Sequence, residues 1–286
     1  MGFQIITDTC CDFPEQMYQE LDVIAVPMAV TVQDTTVHEY DDAWLKKLYD
    51  DLRAGIPAST SAVNPQTWQD VMEPVLARGD DVVVIPLSSG LSTTYQSAMI
   101  AKSELEEKYP DRVIRVVDAR AASMGQGLLV WYACKERDAG RTVEEVADWC
   151  DANADNICLW FTVDDLMYLK RGGRVSAATA LMGTMLQIKP VLHCDNEGKL
   201  INVAKARGRK AAIEALAKKL GETGIPGRND VCFISHGDCP EDAKVLENIL
   251  KERYGVKEVV TSYIGAVVGS HAGPGTLALF FVGEHR

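Results

Sequence analysis

The first half of this 286-residue chain alternates short β-branched runs with longer amphipathic stretches, and few folds accommodate that pattern. Apolar runs at 3–7, 23–26, 30–32, 82–86 and 113–117 read as strands. Stretches at 41–52, 65–76 and 94–108 carry apolar residues at helical spacing, and 121–138 and 142–153 follow, with Gly140 as the break. Strand-helix alternation predicts a parallel α/β sheet, Rossmann-like in its layering. Two helix starts are legible. Asn64 caps ahead of Pro65, whose fixed φ suits the first helical position. Thr93 with Gln96 matches a capping box.

The pattern changes near residues 154–164. A strand is predicted at 157–163, a short helix at 164–170, a turn at Arg171-Gly172-Gly173-Arg174 and a further helix at 176–186. Runs at 188–193 and 200–204 flank Asp195-Asn196-Glu197-Gly198, a hairpin signal, so these strands are expected to be antiparallel. Helices at 209–221 and 240–254 and strands at 231–235, 258–262 and 277–282 complete an α+β unit with a mixed or antiparallel sheet. The expected domains are 1–160 and 161–286.

Charge also divides the chain. The net charge is −12, but residues 1–155 hold 12 basic and 27 acidic side chains, whereas 156–286 hold 17 and 14. This is either two regions with different partners or drift in surface composition. The acidic excess argues against a nucleic-acid partner. No uncharged apolar run approaches the ~18 residues of a membrane span. The first residues lack the basic start of a secretory signal. The eight cysteines form no C-x-x-C pair, and several sit in apolar runs. They read as small buried hydrophobes in a reducing cytoplasm, not as a disulfide framework or zinc site.

Three polar clusters sit beside strand ends: Ala58-Ser59-Thr60-Ser61, Ser88-Ser89-Gly90-Leu91-Ser92-Thr93-Thr94, and Gly269-Ser270-His271-Ala272-Gly273-Pro274-Gly275. The first two precede helix starts, where unpaired backbone N–H groups suit an anion, although the same hydroxyls could serve only as caps. His271, among glycines, could donate to an anion, move a proton, or simply bond a turn carbonyl. Two basic turns, 170–174 and 205–210, could grip phosphate or carboxylate, or be solvated loops. No G-x-S-x-G elbow, Walker loop or G-x-G-x-x-G fingerprint is present, and the histidines show no metal-ligand spacing. Gly125-Gln126-Gly127 lacks the third glycine of the fingerprint. No cofactor is expected.

Taken in order, I-I-T-D-T, S-T-S at 59–61, S-S-G-L-S-T-T-Y-Q-S-A at 88–98, V-D-A-R at 117–120, L-M-Y-L-K-R-G-G-R at 166–174, K-P-V at 189–191 and I-G-A-V-V-G-S-H-A-G-P-G at 264–275 resemble the DegV family over nearly the whole chain. That family includes the fatty-acid-binding subunits of bacterial fatty acid kinase. The resemblance implies a long-chain fatty acid buried between two domains, its carboxylate held by Thr60, Ser92 and His271, with Ser61 and Thr93 adjacent. It implies a partner, the kinase catalytic subunit, that phosphorylates the bound carboxylate. Arg171 and Arg174 become docking or phosphate candidates, with Arg207 in the second basic turn beside them. The chain departs from the family pattern at Ala62-Val63-Asn64-Pro65, at Thr93 in place of a glycine, and at Cys10-Cys11 in place of a small polar pair.

The expected function is therefore that of a cytoplasmic fatty-acid carrier serving a separate kinase, not a stand-alone enzyme. It needs no membrane span, and transient membrane contact stays open. Two alternatives remain: a hydrolase or phosphotransferase pairing His271 with a serine, and a carrier of another amphipathic acid.

Overall fold

β6 (Asp81–Ile85) is buried at every residue, the mark of a strand covered on both faces. It lies in a four-stranded parallel sheet of order β2 (Val23–Val26), β1 (Phe3–Asp8), β6, β7 (Ile114–Val116). The computed structural model describes residues 2–176 and 187–285. From residue 177 onward the helix predicted at 176–186 lies outside the described residues.

A short α1 (Glu15–Glu20) precedes β2, and the parallel sheet is flanked by α2 (Asp42–Arg53), α3 (Pro65–Ala77), α4 (Thr94–Lys108), α5 (Met124–Asp138) and α6 (Val143–Asn153). Run 30–32 does not join it. Only Pro27 and Met28 separate β2 from β3 (Ala29–Val32), far short of the dozen or more residues a parallel crossover needs. β3 instead forms an antiparallel sheet between β4 (Thr35–Val37) and β5 (Ala58–Ser61). The 58–61 cluster is thus a strand rather than a turn before a helix. Its alternation leaves Ser59 and Ser61 exposed and turns Thr60 inward.

The second sheet has the order β10 (Leu200–Arg207), β9 (Ile188–Cys194), β8 (Ile157–Thr162), β13 (Leu277–Val282), β11 (Val231–His236), β12 (Glu258–Tyr263). β9 and β10 are the expected antiparallel hairpin, and among the described residues of this sheet only β11 and β12 pair parallel. Among the described residues, the helices of this unit are α7 (Met167–Arg171), α8 (Arg209–Thr223), α9 (Pro240–Tyr254) and α10 (Ala266–Ala272).

α5 packs on β1 and also on β8, β11 and β13. Met124 to Val130 are all buried in consequence. Gly125 and Gly127 serve this packing. A Cβ at Gly125 would stand 3.0 Å from the Phe280 ring, and one at Gly127 2.8 Å from the Phe13 ring. Between them Gln126 donates to Thr7 Oγ1 at 2.8 Å, tying the helix to β1.

The capping box expected at Thr93 does not form. Thr93 has φ −79° and ψ 3°, not the extended backbone a capping side chain needs, and Ser92 Oγ accepts the Thr94 N–H at 3.2 Å instead. A complete box occurs at Thr142 and Glu145, opening α6. Thr142→Ala should therefore cost about 1 kcal/mol in urea denaturation, whereas Thr93→Ala should leave the unfolding midpoint nearly unmoved. Equal losses from both would contradict this account.

Candidate functional site

Ligands of open parallel sheets bind outside the carboxyl ends of the strands, where the strand order reverses. Here that point lies between β1 and β6. Asp8, the last residue of β1, accepts the N–H groups of Cys10 at 3.0 Å and Leu87 at 2.7 Å, and so holds the two loops that leave the strand ends. Burial raises its pKa to about 6 against the opposing pull of those bonds. The loop after β6 is fixed further by Ser89 Oγ donating to Asp118 at 2.5 Å and Ser88 Oγ donating to Gly198 O at 2.9 Å. The second of these bonds carries the β9–β10 hairpin onto the loop.

A cavity of about 490 Å³ opens against this loop, within the ~300–1,000 Å³ typical of small-molecule sites. Thr60, Ser92, Thr93, Arg174 and His271 contribute to its polar lining. Leu159, Phe161, Leu169, Val267, Val268 and Phe280 make much of its wall apolar. Thr60 Oγ1 and His271 Nε2 lie 2.8 Å apart, joining β5 to α10. Ser92 Oγ is 2.8 Å from Thr94 Oγ1 and bonds locally.

His271 is not in a turn, as its glycine neighbours suggest, but in the last turn of α10; positive φ begins at Gly273, at 81°. Its position explains a glycine in the arginine-rich turn. A Cβ on Gly172 would stand 2.2 Å from His271 Nδ1. Burial first, and the Arg174 guanidinium second, hold the imidazole pKa down to about 4. His271 is therefore neutral near pH 7, and the fixed positive charge in this cavity is that of Arg174. Arg174 Nε donates to Leu91 O at 3.2 Å, which bridges the arginine turn to the loop after β6.

A second cavity, of about 340 Å³, shares Thr60, Arg174 and His271 with the first and adds Ser59, Tyr168 and Arg171. The Arg171 guanidinium sits 4.5 Å over the Tyr168 ring. Five of the candidate residues thus meet at one place: Thr60, Ser92, Thr93, Arg174 and His271, with Arg171 just beyond. Ser61 is exposed and lines neither cavity, and Arg207 is exposed at the end of β10, also outside both.

Sequence reasoning missed a buried polar chain on the same cavity. Ser123 and Ser235 both line it, with their Oγ atoms 2.9 Å apart. Ser123 Oγ and Asp12 Oδ2 are hydrogen-bonded at 2.5 Å. Burial pushes Asp12 up to about 8, so it carries a proton near neutrality. Asp8 and Asp12 were visible as T-D-T-C-C-D, but only the tertiary fold brings Ser123 and Ser235 beside Asp12. Among the described residues, no group of His, Cys, Asp and Glu is arranged to hold a metal ion, and no helix is long and apolar enough to cross a membrane.

The fold and cavity define an α/β protein of two main sheets with a chamber whose wall is largely apolar and carries the Thr60–His271 pair. The DegV family model matches residues 2–284, and the chain belongs to that family. A DegV domain-containing protein of Clostridium perfringens is 42% identical over 286 residues, 99% of this chain and 98% of the relative. Among solved structures, a DegV family protein of Thermus thermophilus, described for its fatty acid binding, superposes with TM-score 0.89 at 30% identity, over 99% of this chain and 100% of that one. A fatty acid binding DegV family protein of Streptococcus agalactiae gives TM-score 0.86 at 28% identity, covering 100% of both chains.

The buried acid sets a pH dependence. Asp12 binds its proton more tightly folded than unfolded, so its contribution to stability is complete below about pH 4 and is lost as pH rises to about 8. Asp12→Asn removes that loss. Across pH 4 to 8 the variant should gain stability relative to the wild-type protein, measured as a growing difference in Tm. Parallel Tm profiles would contradict a raised Asp12 pKa.

Proposed function

We propose that this chain binds a long-chain fatty acid in the larger cavity, with the carboxylate at Thr60, Ser92 and His271. The observation that carries this reading is the Thr60–His271 pair, 2.8 Å apart, in the wall of a largely apolar chamber of about 490 Å³. The relatives described as fatty acid binding support it.

The chemistry fits a carboxylate. Burying one without partners is costly, so donors must be in place beforehand. With a neutral His271, one tautomer lets Nε2–H donate to Thr60 Oγ1, which frees the Thr60 hydroxyl hydrogen for the ligand. Arg174 supplies the compensating charge. Each buried methylene of the tail adds about 0.8 kcal/mol. Ser61 contributes no donor in this pose, and Thr93 lies at the rim.

A hydrolytic reading is weaker. Among the described residues no carboxylate hydrogen-bonds to His271, whose Nδ1 packs on Gly172, and Ser92 bonds Thr94 rather than the imidazole. A carrier that leaves chemistry to a partner fits better. We place the division between its two units near residues 154–164, at the entry to β8. The phosphoryl group of a separate kinase would approach through the smaller cavity, past Arg171 and Arg174, to form an acyl phosphate. Arg207 stands apart as a surface contact for that partner.

Mass spectrometry of an organic extract of the purified protein should recover one long-chain fatty acid per chain. Finding none, or a different amphipathic acid, would overturn the ligand assignment. His271→Ala and Ser92→Ala should each weaken retention by about 1–3 kcal/mol, measured by displacement of a fluorescent fatty acid, and unchanged binding in both would remove them from the site. Arg171→Ala should keep fatty-acid binding while lowering phosphorylation by a partner kinase. A parallel loss of both would point to misfolding instead.

A further inference from the structure

The polar chain Asp12–Ser123–Ser235 is out of place in the wall it helps to form. Ser123 is 4% exposed and Ser235 fully buried, yet both face the chamber among Ala122, Leu159, Val267, Ala278 and Phe280. Neither is bonded to Thr60, Ser92 or His271. A wall that only had to hold methylenes would be served by alanine at these positions. Ser123 moreover holds a positive φ of 54°, a region that side-chain-bearing residues occupy at a cost.

Counting hydrogens shows what the pair can offer. Ser123 bonds both Asp12 and Ser235, which uses its donor and one acceptor position. Ser235 Oγ has Ser123 as its one hydrogen-bond partner among the described residues. If Asp12 holds a proton, it donates to Ser123, Ser123 donates to Ser235, and the Ser235 hydroxyl hydrogen is left to point into the chamber. If Asp12 is ionised the order reverses, and Ser235 presents lone pairs there. In either arrangement one hydrogen-bonding position of Ser235, a residue of the chamber wall, is left unused by the described residues.

We propose that Ser123 and Ser235 form a second recognition point in the chamber, one that favours acyl chains carrying an oxygen substituent, a hydroxyl or keto group, along their length. The inference rests on the fatty-acid reading above. An unsubstituted chain leaves that position unmet. A substituted chain gains one hydrogen bond, provided its oxygen falls at the right carbon.

The test is a titration of delipidated protein with stearate and with a series of hydroxystearates that differ in hydroxyl position. One position should bind about three- to tenfold more tightly than stearate, the worth of one net hydrogen bond, and positions on either side should not. In Ser235→Ala and in Ser123→Ala the ratio between that isomer and stearate should fall to about one, with folding checked by circular dichroism. A flat positional series in the wild-type protein overturns the proposal without recourse to any variant. So does a preference that survives both substitutions. Stearate failing to bind at all would instead overturn the fatty-acid reading itself, so the two failures are distinct.

Discussion

The packing of α5 between the two main sheets is the constraint on which the rest depends. Its first turns touch β1 on one side and β8, β11 and β13 on the other, with glycines where the Phe13 and Phe280 rings press closest. The separation of the sheets is set by this helix, and the chamber occupies the space left beside it. Asp12, Ser123 and Ser235 come from the segment after the first strand, the approach to α5 and the second sheet, so their hydrogen bonds fasten the same junction that the glycines allow to close.

Much of this was legible from residue pattern alone. The parallel strands and the helices between them follow from hydrophobic periodicity, and the β9–β10 hairpin from its turn residues. The errors have physical causes. Run 30–32 looks like its neighbours in composition, but the two residues before it are too few for a crossover. Thr93 has the chemistry of a cap and the wrong backbone angles for one. The glycines around His271 suggested a turn, whereas those before it allow α10 to pack closely, as at Gly269 against the Tyr49 hydroxyl. The resemblance gathered Thr60, Ser92 and His271 into one site, and these do share a cavity. It also carried Ser61 along, which strand alternation turns outward. The Asp12 chain was not legible, because Ser235 stands 112 residues from Ser123 and no local spacing links them.

The electrostatics of the site run against the usual picture of a histidine meeting an anion. Burial and Arg174 together keep the imidazole neutral, and its contacts are with the Thr60 hydroxyl on one side and Gly172, at the end of α7, on the other. The permanent cation is the arginine of the outer turn. This is consistent with the uneven charge of the chain, since the acidic first half supplies hydroxyls and backbone while the second supplies the guanidinium groups.

The contact between Gly172 and the His271 ring has a mechanical consequence. The imidazole has backbone against one edge and the Thr60 hydroxyl at the other, so one side chain braces the outer turn, α10 and β5 together. A larger side chain at position 172 would therefore be felt at Thr60, on β5, through the ring between them.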